Sequence, residues 1–358
     1  MNSHRKGRMR FAFIGCGAIA HKHLLAIRYL SNAKVVGVHD INPQVLKEFS
    51  KKYHIPAFKD VERMIGESQP HILNILTPSG MHAKNILELI RFNRHFVVEK
   101  PLALRLKDVD RVIQACGKKG LNIFVVQQNR FNPPIQKLKE ALDGGSFGKL
   151  VIGTVRVRWC RDQAYYDQKS WRGTWALDGG VLTNQASHHI DMLLWMMGEV
   201  ESVVSKTARR LADIETEDTG VAIMKFKNGA LGIVEATTAT RPKDLEGSIS
   251  ILGEKGAVEI GGFFMNELKV WNFLEKDKMD KQVWSKYARV PEVPAWNHTE
   301  FFKDVLDSLR NKKRCLIDGL EARKSIELIN AIYESAETGR EIFLDNLIKK
   351  CNYLGAKR

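Results

Sequence analysis

The chain has little of what commits a sequence early. Its five cysteines, Cys16, Cys116, Cys160, Cys315 and Cys351, form no C-x-x-C pair and are odd in number. That argues against a zinc site and a disulfide framework, and for reduced, mostly buried thiols. No apolar run approaches the roughly 18 residues of a membrane span, and the richest, Met192–Met197, is far too short. Phe11–Ile14 is likewise too short for the core of a secretory signal, so a cytoplasmic location and no membrane partner are expected. Internal repeats and low-complexity linkers are absent. Acidic residues are missing from 1–10 and 349–358, where Arg5, Lys6, Arg8, Arg10, Lys349, Lys350, Lys357 and Arg358 stand. Those eight cations supply about half of the net charge of +15 and leave +7 over residues 11–348. No recognisable nucleic-acid-binding module organises them, so solvated ends are the plain reading and no nucleic-acid partner is expected.

What is present is an ordinary globular composition of 358 residues, 44% hydrophobic and 27% charged, enough for about two domains with real cores. Short apolar runs at Arg10–Ile14, Lys34–His39, His71–Leu76, His95–Val98 and Asn122–Gln127 alternate with helical stretches at 18–30, 43–52, 80–92 and 107–119. That alternation predicts βαβ units around a parallel sheet. After Gln128 and one further helix near 132–142, strands dominate. Candidates run from Val151–Trp159 to Leu268–Trp271, with helices near 180–197, 297–311 and 319–338. The expected architecture is an α/β Rossmann domain at 1–128, followed at 129–358 by an α+β domain on a mostly antiparallel, open-faced sheet.

Four motifs carry chemistry. Gly15-Cys-Gly17-Ala-Ile-Ala20 falls where the first strand turns into a helix, and its glycines let backbone N–H groups approach a pyrophosphate. Asp40 ends the next strand, 23 residues past Gly17, where an acid binds the adenosine ribose and favours NAD over NADP. Glu99-Lys100-Pro101 closes a strand at the carboxyl end of the sheet, where Lys100 can polarise or deprotonate a substrate oxygen. In the Gly179–Asp191 stretch, a single helix would put Asn184, His188 and Asp191 on one face, with His188 an acid/base candidate and His189 turned toward the packing. No third ligand has fitting spacing, so no metal is expected at His188 and His189. Finally, Arg156–Trp175 interleaves arginines with tyrosines and tryptophans, which suits an anionic, partly aromatic ligand such as a nucleotide sugar; a strand with solvated arginines is the bland alternative.

Together these motifs resemble the glucose–fructose oxidoreductase, inositol dehydrogenase and rhizopine catabolism (Gfo/Idh/MocA) family, from Phe11 to about Leu344. The shared elements include Thr77-Pro78 with His82, Glu99-Lys100-Pro101 and the Gly-Gly…His…Asp stretch. Within it, Tyr165–Gly180 followed by Asn184 and His188 is similar to dehydrogenases that oxidise the 3-hydroxyl of UDP-N-acetylglucosaminuronic acid for bacterial surface polysaccharide. Other sugars, inositol, or a cofactor-sensing regulator without catalysis are the alternatives. The resemblance implies NAD contacts from Gly15, Gly17, Ala18, Ile19, Asp40, Thr77, Pro78, His82, Glu99, Lys100, Gln127, Trp171 and Arg172. It implies substrate contacts from Lys100, Arg158, Arg161, Tyr165, Tyr166, Asn184 and His188. Many members carry Asp where this chain has Asn184, so the base is left to Lys100 or His188, which would have to reach one hydroxyl from different domains. The resemblance also implies a dimer or tetramer built on the second sheet.

Overall fold

The first sheet is built from β1 (Met9–Ile14), β2 (Ala33–His39), β3 (Ile72–Ile75), β4 (His95–Val98) and β5 (Ile123–Val125). A computed structural model describes residues 7–344 apart from 276 and 277. The strands are parallel in the order β2-β1-β3-β4-β5. Ile72–Ile75 and Phe96–Val98 are wholly buried, as strands covered on both faces must be. A single parallel bridge from Val38 to Ala57 stands at the outer edge of β2. From β1 the chain steps outward to β2, then returns to β3 on the other side of β1. That reversal opens a crevice beyond the carboxyl ends of β1 and β3.

Two compact units emerge. The first takes the chain up to Ala103, Asp108–Val126 and Glu292–Glu321; the second takes Leu104–Lys107, Gln127–Pro291 and the chain from Ala322 onward. Helix Trp296–Asn311 thus packs with the first unit, although a boundary at 128 assigns it to the second. Its Phe302 ring meets Phe11 edge-on at 5.5 Å and His23 at 5.3 Å. A helix at Val61–Ser68 was not expected; Asp60 caps it by accepting from Arg63 N at 2.7 Å.

The second unit carries β6 (Leu150–Arg158), β7 (Val200–Ala208), β8 (Thr219–Phe226), β9 (Leu231–Thr237), β10 (Glu246–Gly253), β11 (Gly256–Gly261), β12 (Glu267–Phe273) and β13 (Ile342–Phe343). They pair in the order β12-β11-β10-β6-β9-β8-β7-β13, antiparallel except for β6 with β9. Side chains alternate faces along each strand. Val155 and Val157 of β6 and Ala222, Met224 and Phe226 of β8 are buried in one core with Ile190, Leu193 and Met197 of helix Ser187–Met197. The opposite face shows Val204, Val221, Ile223 and Leu231, all exposed. Among the described residues no helix is long and apolar enough to cross a membrane.

Candidate active site

In the first unit, the turn after β1 is shaped by its glycines. Gly15 has φ +102°, and a Cβ there would meet the Leu76 carbonyl oxygen at 2.6 Å. Above Gly17 nothing lies within 4 Å of a built Cβ. Gly17 also starts helix Ala18–Arg28 with no side-chain cap, so the first-turn amides beside exposed Ala18 and half-buried Ile19 are suited to an anion. Asp40 leans on this turn, its Oδ2 accepting from Cys16 N and its Oδ1 from Asn42 N, both at 2.8 Å. Across the crevice, Thr77 Oγ1 donates to Asn85 Oδ1 at 2.8 Å, and Pro78 is half-buried.

His82 does not belong with the ligand contacts. It is 1% exposed, and its two ring nitrogens lie 2.7 Å from the Pro101 carbonyl and 2.8 Å from the Thr77 carbonyl. It sits between two strand-end turns, one ring nitrogen donating to a carbonyl, and burial holds its pKa below the ordinary imidazole value.

Glu99 and Lys100 stand on a polar network that was not predicted. Asn74 Nδ2 donates to His23 Nδ1 at 3.1 Å, and His23 Nε2 donates to Glu99 Oε1 at 2.7 Å. The Lys100 amide reaches Glu99 Oε2 at 3.2 Å. Burial pushes the Glu99 carboxyl up, but the His23 hydrogen bond and the electrostatic pull of His23, His298 and Lys100 outweigh it and bring the pKa down to about 2. Ligand-type atoms of His23, Glu99 and His298 lie within 4.8 Å of one another. The bond between His23 and Glu99 makes this an internal polar pair. Asn74 in an otherwise apolar, wholly buried strand is the one sequence signal that could have pointed to it.

In the second unit, the stretch expected as one helix is two elements. Val181–Gln185 forms a π-helical turn, and an α-helix begins at Ser187. The single-face arrangement of Asn184, His188 and Asp191 therefore fails. Asn184 Nδ2 donates to Asp178 Oδ1, whose other oxygen accepts from Gly173 N at 2.8 Å. Asp191 is fully buried in a two-pronged pair with Arg130, both contacts at 2.8 Å. His188 is half-buried, with Nδ1 2.8 Å from Gln127 Oε1 and Nε2 3.4 Å from Gln128 Nε2. An amide oxygen only accepts, so Nδ1 carries the proton and the lone pair sits on Nε2. Gln127, expected at the cofactor, instead sets the tautomer of His188. His189 packs edge-on against Trp159 at 5.7 Å, and burial lowers its pKa to about 3.

The arginine-rich stretch divides. Arg158 follows Val157 on β6 and so projects from the face opposite helix Ser187–Met197. There it holds Glu235 at 2.6 Å and Glu246 at 3.2 Å, while Arg156 holds Glu246 at 3.3 Å. Strand alternation therefore removes Arg158 from the substrate contacts. Tyr166 leaves them too: it is 8% exposed, and its hydroxyl lies 3.0 Å from Thr238 Oγ1. Tyr165 stays with the π-helical turn, accepting from Gln185 Nε2 at 3.1 Å. The guanidinium groups of Arg172 and Arg161 lie 4.1 Å and 5.3 Å from the Tyr165 ring centre, and Arg161 also pairs with Asp244 at 3.1 Å. Trp171 is half-buried, its carbonyl accepting from Thr174 Oγ1 at 2.8 Å.

Residues 9–127 match the model of an oxidoreductase-family NAD-binding Rossmann fold. Residues 139–344 match the C-terminal alpha/beta domain of the same family. The chain belongs to the Gfo/Idh/MocA oxidoreductase family. It is an NAD-dependent oxidoreductase, and the open space over Gly17 with Asp40 beside it fits that cofactor. A Gfo/Idh/MocA relative, the myo-inositol 2-dehydrogenase of Thermotoga maritima, is 25% identical over 95% of this chain and 100% of its own length. The WlbA dehydrogenase of Bordetella pertussis, solved with NADH and UDP-GlcNAcA, is 39% identical and covers 94% of this chain and 98% of its own, with a TM-score of 0.91. The WlbA enzyme of Chromobacterium violaceum, solved with the same two ligands, is 38% identical over 95% and 96%, with a TM-score of 0.89.

Proposed function

We propose that this enzyme oxidises the 3-hydroxyl of UDP-N-acetylglucosaminuronic acid, with His188 as general base and Lys100 as the second acid/base candidate. The observation that carries this reading is the similarity to the two WlbA dehydrogenases, 39% and 38% identical over nearly the whole chain, against 25% for the inositol enzyme. The His188 tautomer supports it, because Nε2 offers a lone pair to a hydroxyl proton. Bound NAD supplies the hydride acceptor. Gly15, Gly17, Ala18 and Ile19 would hold its pyrophosphate, Asp40 its adenosine ribose, and Thr77 and Pro78 the far wall of the crevice. Arg161, Tyr165 and Arg172 are the contacts suited to the charged, partly aromatic substrate.

The product belongs to nucleotide-sugar supply for bacterial surface polysaccharide. A cytoplasmic enzyme fits the unpaired thiols at Cys16, Cys116, Cys160 and Cys315. The exposed apolar face of β7, β8 and β9 suits a dimer or tetramer. The test is NADH formation with UDP-N-acetylglucosaminuronic acid, UDP-N-acetylglucosamine and myo-inositol in parallel. Turnover of the uronate first is expected; turnover of inositol with none of the uronate overturns the reading.

A further inference from the structure

The geometry points to Glu217 as a positioning residue for the Asn184–His188 segment, its buried carboxyl group fixing where the π-helical turn begins. This rests on the role proposed above for His188. Glu217 is 4% exposed and ends the loop that leads into β8. Three successive residues of the turn are tied to it. Its backbone carbonyl accepts from Val181 N at 3.1 Å. Its Oε1 accepts from Leu182 N at 3.1 Å and from the Tyr333 hydroxyl at 2.7 Å. Thr183 Oγ1 in turn donates to that tyrosine oxygen at 3.1 Å. The carboxyl also presses on Gly180, where a Cβ would overlap it. The Gly180 carbonyl then receives Asn184 N at 2.9 Å. The start of the segment therefore has one shared anchor, and the path from it to Asn184 is a single turn of backbone.

The carboxyl group is neither a surface acid nor half of an ion pair. Two titratable groups face it: Tyr333 from helix Gly319–Thr338, and Asp218, its neighbour in the chain. The π-helical turn presents only the Leu182 amide. Asp218 is engaged elsewhere, accepting from the amides of Arg210, Leu211 and Ala212. Glu217 Oε2 has no hydrogen-bond partner among the described residues. Burial pushes the Glu217 pKa up to about 7, Asp218 adding to it and the bonds from Tyr333 and Leu182 opposing it. Burial and the Glu217 charge raise the Tyr333 pKa well above its usual value, so that hydroxyl stays a donor. Oε1 accepts from the Tyr333 hydroxyl and the Leu182 amide whether or not the carboxyl is ionised, so the anchor is set by the position of that oxygen.

The test compares the full-length wild type with Glu217→Gln, Glu217→Ala and Tyr333→Phe, using NAD and UDP-N-acetylglucosaminuronic acid between about pH 5.5 and 9. Glu217→Gln, which keeps an acceptor for the Leu182 amide and the Tyr333 hydroxyl, holds kcat within about threefold of wild type. Glu217→Ala lowers kcat about tenfold or more with KM changed less than about threefold, and Tyr333→Phe does so more weakly. A wild-type kcat in Glu217→Ala overturns the assignment, as does a loss confined to KM. If Glu217→Ala does not fold, the Gln and Phe variants decide. If the wild type does not oxidise the uronate, the substrate reading fails on its own. Glu217 is then read from histidine-labelled protein by NMR, with the His188 signal assigned by its loss in His188→Asn. A changed His188 titration in Glu217→Ala or Tyr333→Phe supports the positioning role, and an unchanged one in both overturns it.

Discussion

His188 Nδ1 donates to Gln127 Oε1 at 2.8 Å, and this one bond decides which ring nitrogen can act as a base. Replacing Gln127 with Leu removes the acceptor and lets the ring turn or change tautomer. The expected result is a fall in kcat of about tenfold or more with little change in KM for the sugar, measured by steady-state kinetics. Gln127→Glu keeps an acceptor and should shift the base ionisation upward, since a carboxylate favours the imidazolium.

Glu99 links the first unit to acid. Its folded pKa of about 2 lies below the ordinary 4.5, so its contribution is present above about pH 4.5 and is lost as pH falls toward 2. The full contribution is on the order of 3 kcal/mol. Glu99→Gln should therefore be less stable than wild type at neutral pH, with the gap narrowing on acidification. Urea unfolding at about pH 7 and pH 4 measures it; a gap that does not change with pH excludes the pairing with His23 as its source.

His189 runs the same linkage with a base. Burial lowers its pKa from 6.5 to about 3, so the unfolded chain binds the extra proton and stability is lost as pH falls below about 6.5. The wild-type penalty at pH 5 is on the order of 2 kcal/mol. His189→Met, close in volume and without a titrating ring, should gain stability over wild type as pH drops from about 7 to 5. Thermal melts at both pH values give the comparison.

The two arginines of the second unit should separate. Arg161→Met is expected to raise KM for the uronate about tenfold or more, because it removes a cation stacked near Tyr165. Arg158→Met should leave KM within about twofold, because Arg158 is held by Glu235 and Glu246 on the open face. Equal effects on KM would return Arg158 to the substrate.

That open face supplies the last prediction. Ile223 is 61% exposed amid Val221, Leu231 and Val204. Ile223→Asp should lower the assembly state seen by light scattering while NAD binding is retained. An unchanged mass would exclude this face as the contact.

Much of this was readable before any tertiary structure. Apolar runs alternating with helical stretches specify a parallel sheet, because only strands covered on both faces are continuously apolar. A glycine pair between strand and helix, with Asp40 one unit later, specifies a dinucleotide site, because both requirements act over a few residues of backbone. Sequence by itself therefore determined the architecture and the cofactor, and it singled out Lys100 and His188 as candidates. It could not assign partners to side chains far apart in the chain. Arg158 looked like a ligand contact until pleating turned it toward Glu235, 77 residues away. His82 looked like a cofactor residue until two carbonyls took its ring. One helix from 180 to 197 became a π-helical turn and an α-helix. The anchor beneath that turn is Glu217 with Tyr333, 116 residues apart, and neither residue has a neighbour in the sequence that announces the other. Tertiary structure alone decided these roles, because hydrogen bonding and burial depend on which groups meet in space, and local pattern carries no record of that.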